Sequence, residues 1–225
     1  MTLQDKLDAL REDFENGRFP LVPTSDQLDT MQRATRALID SGQAESALGA
    51  GDTAPDFELE DAAGHLVSSR RLLAEGPLVL TFYRGVWCPY CNHDLQALEE
   101  VRAPIEERGA RLVAISPQTQ ANSRKSQRDN KLGFPILSDA GAQVADRFGL
   151  RFELPADLIE VYRQFGNDLP MINADPRWVL PMPARYVIGA NGVIAYAEVN
   201  PDYTRRPDPS ELLPVLDQLR NDRPA

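Results

Sequence analysis

Apolar residues at Leu3, Leu7, Leu10 and Phe14 recur at the three-and-four spacing of a helix buried on one side, which predicts an amphipathic helix from Leu3 to about Phe14. A second is predicted from about Ser25 to Ser41, with Leu28, Met31, Ala34, Leu38 and Ile39 on one side and Gly42 as its stop. The two-proline loop FPLVPTS joins them. Residues 1–48 therefore read as a helical extension. Packing onto the chain's own core is the expected arrangement, and a homodimer contact is the alternative.

After GAGDTAP the period changes. Residues 57–59 and 65–67 flank DAAG as a short hairpin, and LVLTFY, behind Pro77, is the near-continuous apolar run of a strand covered on both faces. The segment opening with CPYC carries Leu95, Leu98, Val101 and Ile105 on one helical stripe and ends near Arg108-Gly109, with Pro104 expected to kink or shorten it. ARLVAIS is a second buried strand, completing a strand–helix–strand unit.

Polar residues 118–131 fit a solvated helix, FPIL a short strand and DAGAQVADRF another helix. Residues 150–180 read as an insertion at the rim of a site, helical over LPADLIEVYRQFG and loop-like over NDLPMINADPRWVLPMP. ARYVIG and VIAYAEV, joined through Asn191-Gly192, form a hairpin, and a helix from about Ser210 to Leu219 closes the chain. The sum is an α/β fold: residues 1–48 as an extension, residues 49–225 as the main domain, and a central mixed sheet flanked by helices.

The 225-residue chain can bury a core without disulfide staples. Its net charge of −10 disfavours nucleic acid and anionic membrane surfaces as partners. The N-terminus lacks the apolar core of a signal peptide and no segment is long and apolar enough to span a membrane, so a cytoplasmic location is expected. In such a reducing compartment the two cysteines point to catalysis, redox sensing or metal binding rather than to a structural cross-link.

Both lie in FYRGVWCPYCNHDL. A strand followed by Cys88-Pro89 puts the first thiol at a helix N-terminus, where unpaired N–H groups and the helix dipole favour the thiolate. Cys91, one turn on, lies within disulfide reach and should be the poorer nucleophile. Zinc would need more ligands than His65 and His93 add, and Asn92 displaces His93 from the spacing of covalent haem attachment. His93 then reads as a surface or half-buried helix residue. A redox pair is the reading that explains both thiols at one strand-to-helix turn beside Trp87.

PLVLTFYRGVWCPYC resembles the active-site turn of the thioredoxin superfamily. GDTAPDFEL, LVAISPQ, FPILSDAGAQVADRFGL and LPMPARYVIGANGVIAYAEV, in that order over residues 49–220, are similar to peroxiredoxins of the alkyl hydroperoxide reductase and thiol-specific antioxidant family. The resemblance implies a thioredoxin-like fold and a peroxidase without metal or organic cofactor. Cys88 would be the peroxidatic nucleophile and Cys91 the resolving thiol, with thioredoxin or a glutaredoxin as reductant. Where the family has Pro-x-x-x-Thr-x-x-Cys, this chain has Thr81 in the proline position and Gly85 in place of the peroxide-orienting threonine. Arg84 and Trp87 are the candidate activating residues nearest the thiol, although Arg84 also fits an outward salt bridge. Pro183 resembles the cis-proline facing the cysteine pair, and a cis Met182–Pro183 bond is expected. Arg185 shares the face of Pro183 and is a further candidate, although a solvent-facing strand residue is its expected environment; Arg205 and Arg206 read as loop charges. The competing function is a thiol-disulfide oxidoreductase acting on proteins, favoured by WCPYC, the missing threonine and the likeness of CPYC to the glutaredoxin turn. A redox sensor that switches residues 1–48 is a third.

Overall fold

The computed structural model describes residues 1–221. Helices α1 (Leu3–Glu15) and α2 (Ser25–Asp40) form where the pattern placed them. Each begins with a reciprocal capping box, Thr2 with Asp5 and Thr24 with Gln27, which satisfies free N–H groups at the helix start. Next come β1 (Glu58–Asp61), β2 (Leu66–Ser68), α3 (Ser69–Glu75) and β3 (Leu78–Phe82). The expected long helix is two, α4 (Pro89–Glu100) and α5 (Arg102–Glu107), broken at Val101. Pro104 has no N–H to return to the preceding turn, which accounts for the break.

β4 (Arg111–Ser116), α6 (Gln120–Asn130), β5 (Ile136–Ser138) and α7 (Gln143–Arg147) follow. The insertion contains β6 (Arg151–Glu153), α8 (Ala156–Gln164), α9 (Leu169–Asn173) and β7 (Val179–Pro181). Its proline-rich half is thus not plain loop. β7 pairs antiparallel with β6, and Pro170 sits in the first turn of α9, where its missing N–H costs nothing. β8 (Ala184–Ile188), β9 (Ile194–Val199) and α10 (Leu212–Asn221) complete the chain.

Seven strands form one mixed sheet in the order β2-β1-β5-β4-β3-β8-β9. β3, β4 and β5 run parallel at its centre, and β8 lies antiparallel beside β3. Period-two alternation along β3 separates the core into two layers: Val79 faces the layer of α4, α5 and α10, while Leu78, Leu80 and Phe82 face that of α7. Leu3 and Leu7 of α1 are buried in the first layer with Cys88 and Cys91, each such side chain contributing about 2 kcal/mol. The insertion has a small core of its own, Leu154, Leu158, Tyr162, Leu169 and Leu180, against which Met31 and Ala34 of α2 and Trp87 pack. Extension and insertion therefore meet over the cysteine turn.

Candidate redox site

Cys88 is the N-cap of α4, with Pro89 preset at the first helical position. The turn before it is held from both sides. The buried Gln118, from the sequence SPQ, accepts from Val86 N–H at 2.7 Å and donates to Tyr83 Oη at 2.7 Å, and Asn92 Nδ2 donates to Val86 O at 3.0 Å. Gly85 has φ +149°, and a Cβ there would stand 2.6 Å from Trp87 Nε1. The indole fills the space a threonine would need, which explains the family threonine's absence in steric terms.

Both sulfurs are buried, and each has its own arginine. Arg84 Nη1 lies 4.0 Å from Cys88 Sγ. Its guanidinium is stacked on Tyr203 at 4.0 Å and Trp87 at 4.8 Å from the ring centroids, and Nη2 donates to Tyr162 Oη. The outward salt bridge is not formed; aromatic faces hold the charge inward instead. Arg84 Nε and Trp87 Nε1 are buried without a hydrogen-bond partner among the described residues. Arg206 Nη2 lies 3.5 Å from Cys91 Sγ, and Arg206 Nε donates to Asp94 Oδ2 at 3.1 Å. The other Asp94 oxygen accepts from Arg185 Nη2.

Three expectations need correction here. Arg185 is 2% exposed rather than solvent-facing, because β8 turns it toward α4, where Asp94 stands one turn beyond Cys91. Arg206 is a buried partner of Asp94 and Cys91 rather than a loop charge; Arg205 does remain exposed, near Asp8. The Met182–Pro183 bond is trans. The chain runs on from β7 into β8 after two residues, without the tight turn that favours a cis bond. Pro183 lines a cavity of about 470 Å³ with Tyr162, Tyr203 and Arg84, whereas Cys88 lines an adjoining one of about 210 Å³. Arg84, Tyr162 and Tyr203 border both, so the structure brings Arg84 and Trp87 into the cavity of Cys88 and Pro183 into the adjoining one. His93 is half-buried, as expected.

Burial by itself pushes the Cys88 thiol up, but hydrogen bonds from the Cys91 thiol and backbone, with the charges of Arg84 and Arg206, outweigh it and bring Cys88 down to about 6. Cys91 goes the other way, raised by burial first and then by donating to, and lying beside, the negative Cys88. The pair thus divides into a thiolate at the helix N-terminus and a protonated thiol one turn inside. The cavity on Cys88 is walled mainly by Leu10 and Phe14 of α1, Phe19 and Leu21 of the following loop, and Phe165 of the insertion.

The AhpC/TSA family model matches residues 50–197. The chain belongs to the AhpC/TSA family. Membership makes it an oxidoreductase of peroxiredoxin type. Rice (Oryza sativa subsp. japonica) chloroplastic peroxiredoxin Q is 29% identical over 169 residues, which are 75% of this chain and 67% of that protein. The thiol-disulfide oxidoreductase ResA of Halalkalibacterium halodurans is 30% identical over 111 residues, 49% of this chain and 61% of ResA. Among solved structures, peroxidoxin BcpB from Mycobacterium tuberculosis superposes with a TM-score of 0.61 at 24% identity, covering 79% of this chain and 99% of BcpB, a likeness of fold. The matched span contains both cysteines, Arg84, Asp94 and Arg185, while α1, α2, Tyr203 and Arg206 lie outside it.

The sequence reading missed Asp94, Tyr162, Tyr203 and Arg206. Asp94 carried a legible signal: Cys91, Asp94, Leu95 and Leu98 fall at i, i+3, i+4 and i+7, which places a carboxylate on the buried stripe. Such a carboxylate needs a cation or hydrogen-bond donors around it.

Proposed function

We propose that the protein reduces hydroperoxides through Cys88 and Cys91, with organic hydroperoxides favoured over hydrogen peroxide. The observation that carries this is Cys88 Sγ, 4.0 Å from Arg84 Nη1 and lining a small, mostly apolar cavity. Cys88 Sγ attacks the terminal oxygen, the O–O bond breaks, and the alkoxide takes a proton to leave as an alcohol. Arg84 Nε and Trp87 Nε1, without a hydrogen-bond partner among the described residues, are the candidate donors to the developing oxyanion. Cys91 then condenses with the Cys88 sulfenic acid, releasing water and forming the disulfide. A dithiol of the thioredoxin or glutaredoxin type supplies the two electrons and two protons that restore both thiols. Cys88 is 1% exposed, and Leu10 and Phe14 of α1 and Tyr90 line its cavity with it. A small peroxide fits that enclosure better than a protein disulfide does, and the macromolecular reductant is expected to require displacement of the cover.

The likeness to ResA and the WCPYC turn support disulfide exchange as a second reading. Stopped-flow Trp87 fluorescence of reduced protein mixed with stoichiometric hydroperoxide separates the two. A fast change that vanishes in Cys88→Ser supports the peroxidase. A rate equal to that of a free thiol, with rapid reduction of a protein disulfide, moves the assignment to exchange.

A further inference from the structure

A buried sulfur that must become an anion in mid-cycle needs a counter-charge, because burial takes it away from bulk solvent. Cys91 is fully buried and Arg206 nearly so. The Arg206 guanidinium is held in place: Nε on Asp94 at 3.1 Å, Nη1 on Tyr203 O at 3.1 Å, and its backbone N–H on Gln4 Oε1 at 3.0 Å. Arg185, the other partner of Asp94, is fixed in turn by Pro207 O at 3.1 Å from Nη1. Two guanidiniums share one carboxylate, so Arg185, Arg206 and Asp94 together carry one positive charge; Glu198 is the next carboxylate, with burial opposing its ionisation, and Arg206 Nη2 directs the charge at Cys91 Sγ, 3.5 Å away.

We infer that Arg206 is a catalytic residue of the resolving half of the cycle, carrying the negative charge of Cys91 when it attacks the Cys88 sulfenic acid and again when it leaves the disulfide. The role rests on the peroxidase reading above. In the resting site the Cys88 thiolate holds the proton on Cys91. Once Cys88 is a neutral sulfenic acid that influence is gone and Arg206 remains. The Cys91 proton leaves with the hydroxide of the sulfenic acid as water, the S–O bond breaks and the S–S bond forms. In the return step the reductant's thiolate attacks Cys88 Sγ, the S–S bond breaks and Cys91 departs as a thiolate beside Arg206. The other titratable or charged groups facing the two sulfurs and Arg206 are Tyr83, Arg84 and Tyr203, Asp94 of α4, Arg185 of β8 and Glu198 of β9. Tyr90 belongs with them, and burial raises all three tyrosines further above their ordinary value, so they stay neutral.

Cys88→Ser protein places a neutral hydroxyl where the sulfenic acid would be, and its absorbance at 240 nm, less that of the Cys88→Ser/Cys91→Ser double variant to remove tyrosinate, then titrates Cys91 alone. Adding Arg206→Gln is expected to raise that midpoint by roughly one pH unit or more, and Arg206→Lys to restore part of the shift. With Cys88 present, Arg206→Gln mixed with cumene hydroperoxide is expected to accumulate dimedone-reactive sulfenic acid, disulfide formation slowing roughly tenfold more than oxidation. The lysine variant, which keeps the charge, should fall between. An unmoved Cys91 midpoint, or an unchanged ratio of the two rates in both variants, overturns the inference. Absence of any sulfenic acid in Cys91→Ser brings down the peroxidase reading instead, because the Cys91 titration uses no peroxide.

Discussion

Replacing Arg84 by glutamine removes the charge nearest the Cys88 sulfur while keeping a polar side chain. At the 4.0 Å separation of Nη1 and Sγ, a unit charge pair is worth about 4 kcal/mol at an effective dielectric of about 20, or about 3 pKa units. The guanidinium charge is spread over three nitrogens and Arg206 also acts on Cys88, so a rise of about 2 units is expected. From a starting value of about 6, the thiolate fraction at pH 7 should fall from about nine-tenths to about one-tenth. Two assays read this: absorbance at 240 nm across pH in Cys91→Ser protein, and the second-order rate of peroxide reduction by stopped flow. The variant should be roughly tenfold slower at pH 7 and recover most of that by pH 9. A loss that persists at pH 9 measures the contact of Arg84 with the peroxide itself. Because Tyr162 Oη loses its partner, circular dichroism must first show native structure. An unmoved thiol midpoint in folded Arg84→Gln refutes the assignment of Arg84 as the activating charge.

Linkage sets a second expectation, for the reduced protein. Between about 6 and the ordinary thiol value of 9.0 the unfolded Cys88 holds a proton that the folded one has lost, so stability rises with pH across that window. It is lost as pH falls through the folded value, and thermal melts of reduced protein against Cys88→Ser should diverge accordingly; parallel curves refute the depressed thiol. Gly85→Thr, which restores the family residue, should cost about 2 kcal/mol by forcing a side chain into Trp87 at positive φ, and no gain in peroxide rate should follow. A melting temperature equal to that of the parent would contradict the steric account. Phe14→Ala and Phe165→Ala should each lower kcat/KM for cumene hydroperoxide roughly tenfold more than for hydrogen peroxide; equal losses would show that the cavity does not hold the substrate's apolar part.

The elements legible in the sequence were those whose pattern is local. LVLTFY and ARLVAIS read as strands covered on both faces because both faces are apolar, and they became β3 and β4. The stripe on α1 read as an amphipathic helix, and Leu3 and Leu7 lie in the core beside the cysteines. Cys88 at a helix start was legible because Pro89 follows it. Partnerships distant along the chain were not. Arg185 reads as an alternating strand residue until β8 is known to face α4, and Arg206 reads as one of two adjacent charges until the loop after β9 is known to fold back over the site. The short α9 and β7 were missed for a related reason: proline suppressed the local signal, and the pairing of β7 with β6 supplied what local propensity lacked.

The same distinction bears on how the site works. Strand, turn and helix alone would give a thiolate at an N-terminus and a second thiol one turn inside, a pair open to peroxide and protein disulfide alike. The parts outside the matched span add to this pair. Phe14, Phe19 and Leu21 wall the cavity on Cys88, Tyr203 stacks on Arg84, and Arg206 reaches Cys91. Both arginines act on both sulfurs, but Arg84 makes its contact with Cys88 and Arg206 with Cys91, which is the basis of the separate roles proposed for them. Two charges held apart by aromatic rings and by Asp94 let the two thiols differ by environment alone. On the proposed cycle Arg206 meets a negative Cys91 only after Cys88 has become a neutral sulfenic acid, so the order of the steps follows from the charges.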